Sequence, residues 1–296
     1  MKTCLFTVSF AGFWGQHRLS LAESIDKAAE LGFDGVEIMA KRPHLSPLDW
    51  SVDDCKRLRD QLAERGLACA ALAGYTSFTA GASAAEVPLV EMQIDYVGQL
   101  AERAKALDCD LVRIFASYER DDQPVTDQWR RTVAAIRECC DRAGAHGVTV
   151  GVQNHHDLGV CARTMLELLH EVDRPNCIPM YDCWSSYLLD EDLAAAVAAM
   201  AGVMRFTTAA DYVILPRGKL RRGPGSYETL EPPLLMAAAM GEGDLDYQTF
   251  FDTLAAEGFD GWVSYEMCWP LREGGELPNR ERCARKFLEY MKPWTG

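Results

Sequence analysis

The sequence predicts a single-domain α/β protein, a (β/α)8 TIM barrel over residues 1–296, and three observations carry this prediction. Short apolar or β-branched runs alternate about eight times with amphipathic helical stretches. A chain of 296 residues is a normal length for one such barrel. Leu-Gly-Phe-Asp-Gly-Val from residue 31 and Glu-Gly-Phe-Asp-Gly-Trp from residue 257 both fit a helix that ends at glycine before a new strand. Such alternation is typical of a parallel sheet.

The first half of the chain contains four predicted strand–helix units. The predicted strands are Cys4–Phe10, Gly35–Met39, Ala68–Gly74 and Leu111–Ser117. The predicted helices are Ser20–Leu31, Ser51–Arg65, Val87–Leu107 and Thr126–Ala145. Ser20 is a typical N-cap and Gly32 a typical stop, so the limits of the first helix are well marked.

The second half repeats the pattern four more times. The predicted strands are Val148–His155, Ile178–Trp184, Val203–Ala209 and Gly261–Cys268. The predicted helices are Arg163–Val172, Asp192–Met200, Asp246–Ala256 and Asn279–Met291. A doubly wound open sheet is the alternative, but no Gly-x-Gly-x-x-Gly motif follows the first strand.

One interval departs from this alternation of strands and helices. A long loop is predicted at residues 212–245, after strand seven. It contains several prolines and a basic cluster of Arg217, Lys219, Arg221 and Arg222. Loops of this length in a compact domain are usually functional or mobile. The stretch from Tyr212 to Leu235 is therefore expected to be a lid over the barrel mouth or a contact to another subunit, with a solvated surface insertion as the alternative.

Composition limits the classes of molecule that the protein is expected to bind. The net charge of −14 disfavours nucleic acid and anionic membrane surfaces, although a local basic pocket could still accept a small anion. No apolar run is long enough to cross a membrane, and no signal peptide is recognised at the start. The eleven cysteines are scattered without a Cys-x-x-Cys pair. We therefore expect reduced thiols in a cytoplasmic protein.

Polar side chains stand where the predicted strands end, at the face on which barrel enzymes carry their active sites. Gln153 and His155 share one face at the end of strand five. Asp182 and Glu266 follow apolar residues on strands six and eight, where a carboxylate needs a metal, a cation or donated hydrogen bonds. Such an oxygen-rich set suits Mn²⁺ or Mg²⁺ better than a thiolate zinc site.

Further candidates surround this set. Glu37 on strand two and Arg113 on strand four are expected to point into the same mouth. Aromatic and histidine side chains near strand ends could contact a sugar, namely Trp14, His17, Tyr75 and Trp184. A divalent ion could hold two adjacent sugar oxygens while a nearby base removes the proton next to the carbonyl.

The order of motifs resembles the sugar phosphate isomerase/epimerase family of xylose isomerase-like barrels. The resemblance runs through LGFDGVEIM, VTVGVQNHHD, IPMYDCW, MGEGDLDYQTFFDTLAAEGFDGWVSYE and NRERCARKFLEYM. It implies one divalent metal, Mn²⁺ first with Mg²⁺, Co²⁺ or Zn²⁺ as alternatives. The family's four ligands are Glu, Asp, His and Glu, which fall here on Gln153, Asp182, Thr208 and Glu266.

Two of these four ligand positions are therefore changed. Gln153 keeps an oxygen but loses a charge and a base. The resemblance places His155 beside the metal, so we expect His155 to transfer the proton, with Glu266 and Gln153 as the other catalytic residues. Glu37 and His156 are the next candidates for the base. The expected substrate-binding residues are Glu37, Arg113, His17, Trp184 and Tyr75.

The resemblance implies a metal-assisted carbohydrate isomerase or epimerase that acts on a small sugar or polyol derivative. A lyase is the first alternative, either a dehydratase or a C-glycoside-cleaving enzyme with a histidine base. A non-catalytic barrel with a degraded metal site is the second. An abasic-site nuclease of the same superfamily would need more metal-binding histidines than the six present. A homo-oligomer is left open.

Overall fold

The barrel predicted from the sequence is present in the computed structural model, which describes residues 1–81, 86–155, 157–187, 189–221, 223 and 225–295. Its parallel strands are β1 (Lys2–Phe6), β2 (Gly35–Met39), β3 (Ala68–Ala73), β4 (Leu111–Phe115), β5 (Thr149–Gln153), β6 (Cys177–Met180), β7 (Phe206–Ala209) and β10 (Trp262–Tyr265). Their order in the sheet is β6-β5-β4-β3-β2-β1-β10-β7. The barrel therefore closes between β7 and β6, where the Thr207 hydroxyl donates to the Tyr181 carbonyl at 2.7 Å.

Helices cover the outside of this barrel. They are α1 (Leu21–Leu31), α2 (Val52–Glu64), α3 (Leu89–Ala106), α4 (Val125–Gly144), α5 (Ala162–Val172), α6 (Cys183–Tyr187), α7 (Leu193–Ala201), α8 (Tyr247–Ala256) and α9 (Leu277–Met291). Ser20 caps α1 through the backbone N–H of Glu23, and Glu23 accepts the Ser20 N–H in return. Gly32 ends that helix with φ of 92°, a left-handed conformation in which glycine is not strained.

Seven of the eight predicted strands are shorter in the structure, and strands one and six show why. Strand one ends at Phe6 because residues 7–10 form a 3-10 turn. The hydroxyl of Thr7 accepts the Met39 N–H and that of Ser9 accepts the Met267 N–H, so side chains replace part of the ladder. Strand six ends at Met180, and Trp184, predicted to be its last residue, lies in α6.

The segment predicted as a long loop contains two antiparallel strands, β8 (Asp211–Leu220) and β9 (Tyr227–Ala238). We call this hairpin the ribbon. Its base is fixed to the barrel mouth because Asp211 accepts the backbone N–H groups of Gly241 and Gly243. Its outer half is exposed to solvent. The ribbon therefore starts at the C-terminal face of the barrel, where the sequence predicted a lid or a subunit contact.

The barrel interior is apolar at its lower end and polar at its mouth. The lower end is filled by Cys4, Ala70, Ala71, Leu111, Met180 and Phe206. The larger core lies between sheet and helices and includes Val36, Leu72 and Val112. All eleven cysteines are free thiols. In the parts of the chain that the structure describes, no helix is both long and apolar enough to cross a membrane.

Candidate active site

Gln153 and Asp182 meet in the barrel mouth as the sequence predicted. Gln153 is the last residue of β5, and Asp182 follows β6 by two residues. The Gln153 side-chain amide donates to Asp182 Oδ2 at 2.9 Å. Asn154 fixes the same aspartate by accepting its backbone N–H at 2.6 Å and donating to its carbonyl at 3.1 Å. The β5 end thus sets both the position and the orientation of Asp182.

Three buried oxygens at neighbouring strand ends are left without hydrogen bonds to any described residue. They are Gln153 Oε1, Asp182 Oδ1 and Thr208 Oγ1. Buried polar atoms in folded proteins nearly always have a partner, so three orphans together indicate a missing one. Each belongs to a position that the resemblance assigned to a metal ligand.

Glu266 completes this group from the end of β10. Its backbone N–H is held by the Ala209 carbonyl at 3.0 Å, and its Oε1 accepts the Cys268 thiol at 3.2 Å. Burial raises the pKa of Glu266, and the charge of Arg113 opposes that rise. Burial, together with the charge of Glu266, raises the pKa of Asp182 to about 8 against the opposing Gln153 hydrogen bond. The two carboxylates therefore lie close enough for the charge of Glu266 to raise the pKa of Asp182.

These oxygens fit a divalent cation. The strands β5, β6, β7 and β10 are consecutive around the closed barrel, so their ends surround one point. Carboxylate, amide and hydroxyl oxygens are ligands for Mg²⁺ or Mn²⁺. Within the described residues, no cluster of three or more His, Cys, Asp or Glu forms a metal site. The candidate site therefore depends on the amide of Gln153 and the hydroxyl of Thr208.

Glu37 and Arg113 form a second charged group beside these residues. The Arg113 Nε lies 3.5 Å from Glu37 Oε1, and both side chains are fully buried. The Ser264 hydroxyl donates to Glu37 Oε2 at 2.6 Å. Burial raises the pKa of Glu37 to about 7, against the opposing effects of Arg113 and Ser264. Glu37 can therefore exchange a proton near neutral pH.

Aromatic rings enclose Arg113 on several sides. Its guanidinium carbon lies 5.2 Å from the ring centre of Phe6, 5.0 Å from Tyr75 and 4.3 Å from Phe115. Such cation–π contacts orient the guanidinium in a place where water is scarce. Tyr75, predicted to contact substrate, thus lies in the mouth next to Arg113.

His155 belongs to an aromatic wall that begins at Phe115. Its ring lies 4.3 Å from that of Phe115 and 6.5 Å from that of Trp184. Trp184 in turn packs 5.0 Å from Tyr212 at the base of the ribbon. The wall therefore connects the predicted proton-transfer residue to the ribbon.

His17 and His156 are the two remaining candidates from the sequence. The contacts that place His17 are a backbone hydrogen bond to Gly275 and the charge of Glu23 at the start of α1. Within the described residues no hydrogen bond or ion pair joins His17 to Arg113 or Asp182. His156, a reserve candidate for the base, lies outside the described residues.

Lys41 is a mouth residue that the sequence reasoning missed. It follows the end of β2 by two residues, and its Nζ lies 3.7 Å from the ring centre of Tyr75 and 5.2 Å from that of Phe13. Burial and the charge of Arg113 lower the pKa of Lys41. In the structure Lys41 and Tyr75 each follow the end of their strand by two residues.

Comparisons with known proteins agree with the barrel fold. Residues 25–294 match the family described as the xylose isomerase-like TIM barrel. The chain is 28% identical over 253 residues to a ketose 3-epimerase of Arthrobacter globiformis, covering 82% of this chain and 76% of that one.

Solved structures share the fold over almost the whole chain. One is a probable 3-DHS dehydratase from Bacillus anthracis, with a TM-score of 0.75, 18% identity and all of both chains covered. Another is a D-allulose 3-epimerase from Methylomonas sp., with a TM-score of 0.73 and 19% identity, covering 99% of this chain and 97% of that one.

Proposed function

Because this chain belongs to the xylose isomerase-like TIM barrel family, we propose that it is a metal-assisted carbohydrate epimerase that moves a proton on the carbon next to a carbonyl. The similarity to a ketose 3-epimerase supports a ketose as the substrate. The observation that carries the proposal is a set of buried oxygens, on Gln153, Asp182 and Thr208 next to Glu266, for which the described part of the chain supplies no hydrogen-bond partner.

Asp182, Glu266, Gln153 and Thr208 are the residues that would hold the divalent cation, with Mn²⁺ as the first candidate. When bound, such a cation would polarise the carbonyl group and neutralise charge on two adjacent sugar oxygens. Asn154 keeps Asp182 in place through its two hydrogen bonds, and Cys268 holds Glu266. These contacts fix the carboxylates before substrate arrives.

His155 is proposed to take the proton from the carbon next to the carbonyl with a ring nitrogen. Gln153 stands where the family has a glutamate, and its amide oxygen cannot act as a base. The proposed base is therefore His155, two residues later at the end of the same strand. Epimerisation also needs a group that returns a proton to the other face of that carbon. Glu266 is the proposed second group, because its carboxyl reaches the candidate site from the end of β10, where Cys268 holds it.

Arg113 and Glu37 are proposed to bind the sugar hydroxyls. Their ion pair is rigid because Phe6, Tyr75 and Phe115 surround the guanidinium and Ser264 holds the glutamate. Trp184 and Tyr212 would exclude water from the His155 side. Such preorganised groups contribute most when the site is closed to solvent.

The test is solvent deuterium exchange. The protein, stripped with EDTA and reloaded with Mn²⁺, is incubated in D2O with D-fructose, D-allulose, D-tagatose and L-ribulose. We expect deuterium at carbon 3 together with the 3-epimer of at least one ketose, and neither in EDTA. Absence of exchange with all four ketoses in the Mn²⁺-loaded protein contradicts the proposal for neutral ketoses.

A dehydratase is the second candidate, because a probable dehydratase shares the fold over all of both chains. Elimination needs one base to take the proton and one acid to protonate the leaving hydroxyl, roles that His155 and Glu266 could fill. An unsaturated product that absorbs ultraviolet light, without epimer formation, would replace the epimerase proposal. Failure to bind Mn²⁺ or any sugar would instead favour a non-catalytic barrel.

A further inference from the structure

Lys41 presents a positive charge to the mouth without an acidic partner. Its ammonium group lies over the ring of Tyr75 and is half-buried. Within the described residues, no carboxylate oxygen lies within the 4.0 Å that defines an ion pair with its Nζ. The ring of Tyr75 stabilises this half-buried cation, and an anion beside it would stabilise it further. The position is therefore suited to receive negative charge from a ligand.

Arg113 adds a second cation to the same place. The guanidinium of Arg113 lies 5.0 Å from the Tyr75 ring, so both cations contact this one ring. Arg113 lies close enough to Lys41 for its charge to lower the pKa of the lysine. The two residues therefore repel each other while the mouth holds no ligand.

The mouth carries positive charge that its described carboxylates do not compensate. Asp182 and Glu266 would balance a divalent cation in the proposed site. Ionised Glu37 pairs with Arg113 at 3.5 Å, and no described carboxylate remains as a partner for Lys41. A carboxylate carries a single negative charge, whereas a phosphate monoester carries about −1.5 to −2 at pH 7.

We propose that Lys41 and Arg113, on the ring of Tyr75, form a subsite for a carboxylate group of the substrate. Given the proposed function, on which this inference rests, the preferred substrate is a keto-sugar acid rather than a neutral ketose. The aromatic rings of Phe13 and Tyr75 limit water access, which strengthens an ion pair between Lys41 and the carboxylate. The reacting carbons would lie toward Asp182 and His155.

The test compares three ligands that share one carbon skeleton. Apparent dissociation constants of the Mn²⁺-loaded protein are measured by calorimetry for D-fructose, D-fructuronate and D-fructose 6-phosphate. We expect D-fructuronate to bind at least tenfold more tightly than D-fructose, and more tightly than the phosphate. In Lys41→Met the preference over D-fructose should fall below about threefold, and Lys41→Arg should retain most of it.

Lys56→Met is the matched control, since Lys56 is exposed on α2 and its substitution should change nothing. Thermal unfolding shows whether each variant is folded. Equal affinity for D-fructose and D-fructuronate, or a preference that survives in a folded Lys41→Met, overturns the inference. Tighter binding of the phosphate overturns the assignment to a carboxylate.

Deuterium exchange separates this inference from the proposed function. Exchange at carbon 3 of a neutral ketose, without Lys41-dependent preference for the acid, leaves the epimerase and removes the subsite. A Lys41-dependent preference for D-fructuronate, without exchange in any ketose or keto-acid, leaves the subsite and removes the epimerase.

Discussion

His155 follows Gln153 by two residues, and the amide of Gln153 cannot accept a proton at neutral pH. The proposed proton transfer therefore depends on the imidazole of His155, whose ring packs 4.3 Å from Phe115. We expect His155→Ala to lower kcat by roughly a hundredfold or more while Mn²⁺ stays bound. Steady-state kinetics and metal analysis of the same sample provide the measurement.

His170→Ala, at an exposed position of α5, is the control and should keep its activity. If His155→Ala loses the metal while Gln153→Ala retains it, then His155 is a ligand that compensates for Thr208. The base would then have to be another residue, with Glu37 as the first candidate.

Glu37 is expected to make the free energy of unfolding depend on pH. Burial raises its pKa from the usual 4.5 to about 7, so between these values the folded chain binds a proton that the unfolded chain releases. Its contribution to the free energy of unfolding therefore falls as pH rises from about 4.5 to about 7, by at most about 1.4 kcal/mol per pH unit. Glu37→Gln, which cannot ionise, should lose less stability than the wild type over this range.

Urea unfolding of both proteins at several pH values between 5 and 8 tests this prediction. Glu64→Gln, at an exposed position near the end of α2, should follow the wild-type curve. Parallel curves for the wild type and Glu37→Gln would mean that Glu37 does not take up a proton in the folded state.

At the scale of elements, the ribbon is the part of the fold that the barrel does not require. A two-stranded hairpin is marginally stable alone, and this one leaves large apolar side chains in water near its tip. Leu220 is 65% exposed and its cross-strand neighbour Tyr227 is 75% exposed. Arg217 and Lys219 add positive charge to it in a molecule of net charge −14, whereas Arg221 is paired with Glu228 at 2.7 Å. These properties match a second copy of the chain as the partner of the ribbon.

We therefore predict self-association through the ribbon. Replacing Leu220 and Tyr227 by serine should shift the protein toward the monomer without unfolding it, because neither side chain is buried in the barrel. Light scattering after size-exclusion chromatography measures the mass. Leu48→Ser, at a position 82% exposed outside the ribbon, is the control. A monomeric wild type would contradict the prediction and favour the lid.

Helix limits were predictable because side chains adjacent to the helices mark them. Ser20 and Ser51 cap α1 and α2, and Asp246 caps α8. Strand ends were less predictable, since apolar sequence continues past the last ladder bond. Thr7 and Tyr181 leave the sheet although both are apolar enough to extend a strand.

The site was predictable where it follows from strand periodicity. Gln153 and Asp182 were assigned from their strand ends alone, and the structure brings them within hydrogen-bonding distance. Ser264 and Lys41 were not, because a small hydroxyl residue or a lysine has many ordinary roles. Their contacts with Glu37 and Tyr75 depend on which strands become neighbours, and the barrel decides that.

For the whole molecule, the proposed cation should act as a stabiliser. A ligand at 100 times its dissociation constant adds about 2.7 kcal/mol to the free energy of unfolding. For a chain of this size we expect Mn²⁺ to raise the Tm by several degrees relative to EDTA. Asp182→Ala should lose this response, because it removes the ligand to which Gln153 is bonded.

Thermal unfolding with and without Mn²⁺ gives the measurement, and Asp60→Ala, an exposed change on α2, should respond like the wild type. Equal Tm values for the wild type in Mn²⁺ and in EDTA would contradict a resident cation.

The way in which the barrel closes determines where it opens most easily. Backbone ladders join seven neighbouring strand pairs, whereas β7 and β6 are linked by the hydroxyl of Thr207 and the carbonyl of Tyr181. Local unfolding is easiest where few backbone bonds must break, so this boundary is the natural line of separation. Thr208 and Asp182 are the next residues on its two sides. A cation bound to both would hold the boundary shut, and the same bonds that prepare the sugar for reaction would keep the barrel from parting.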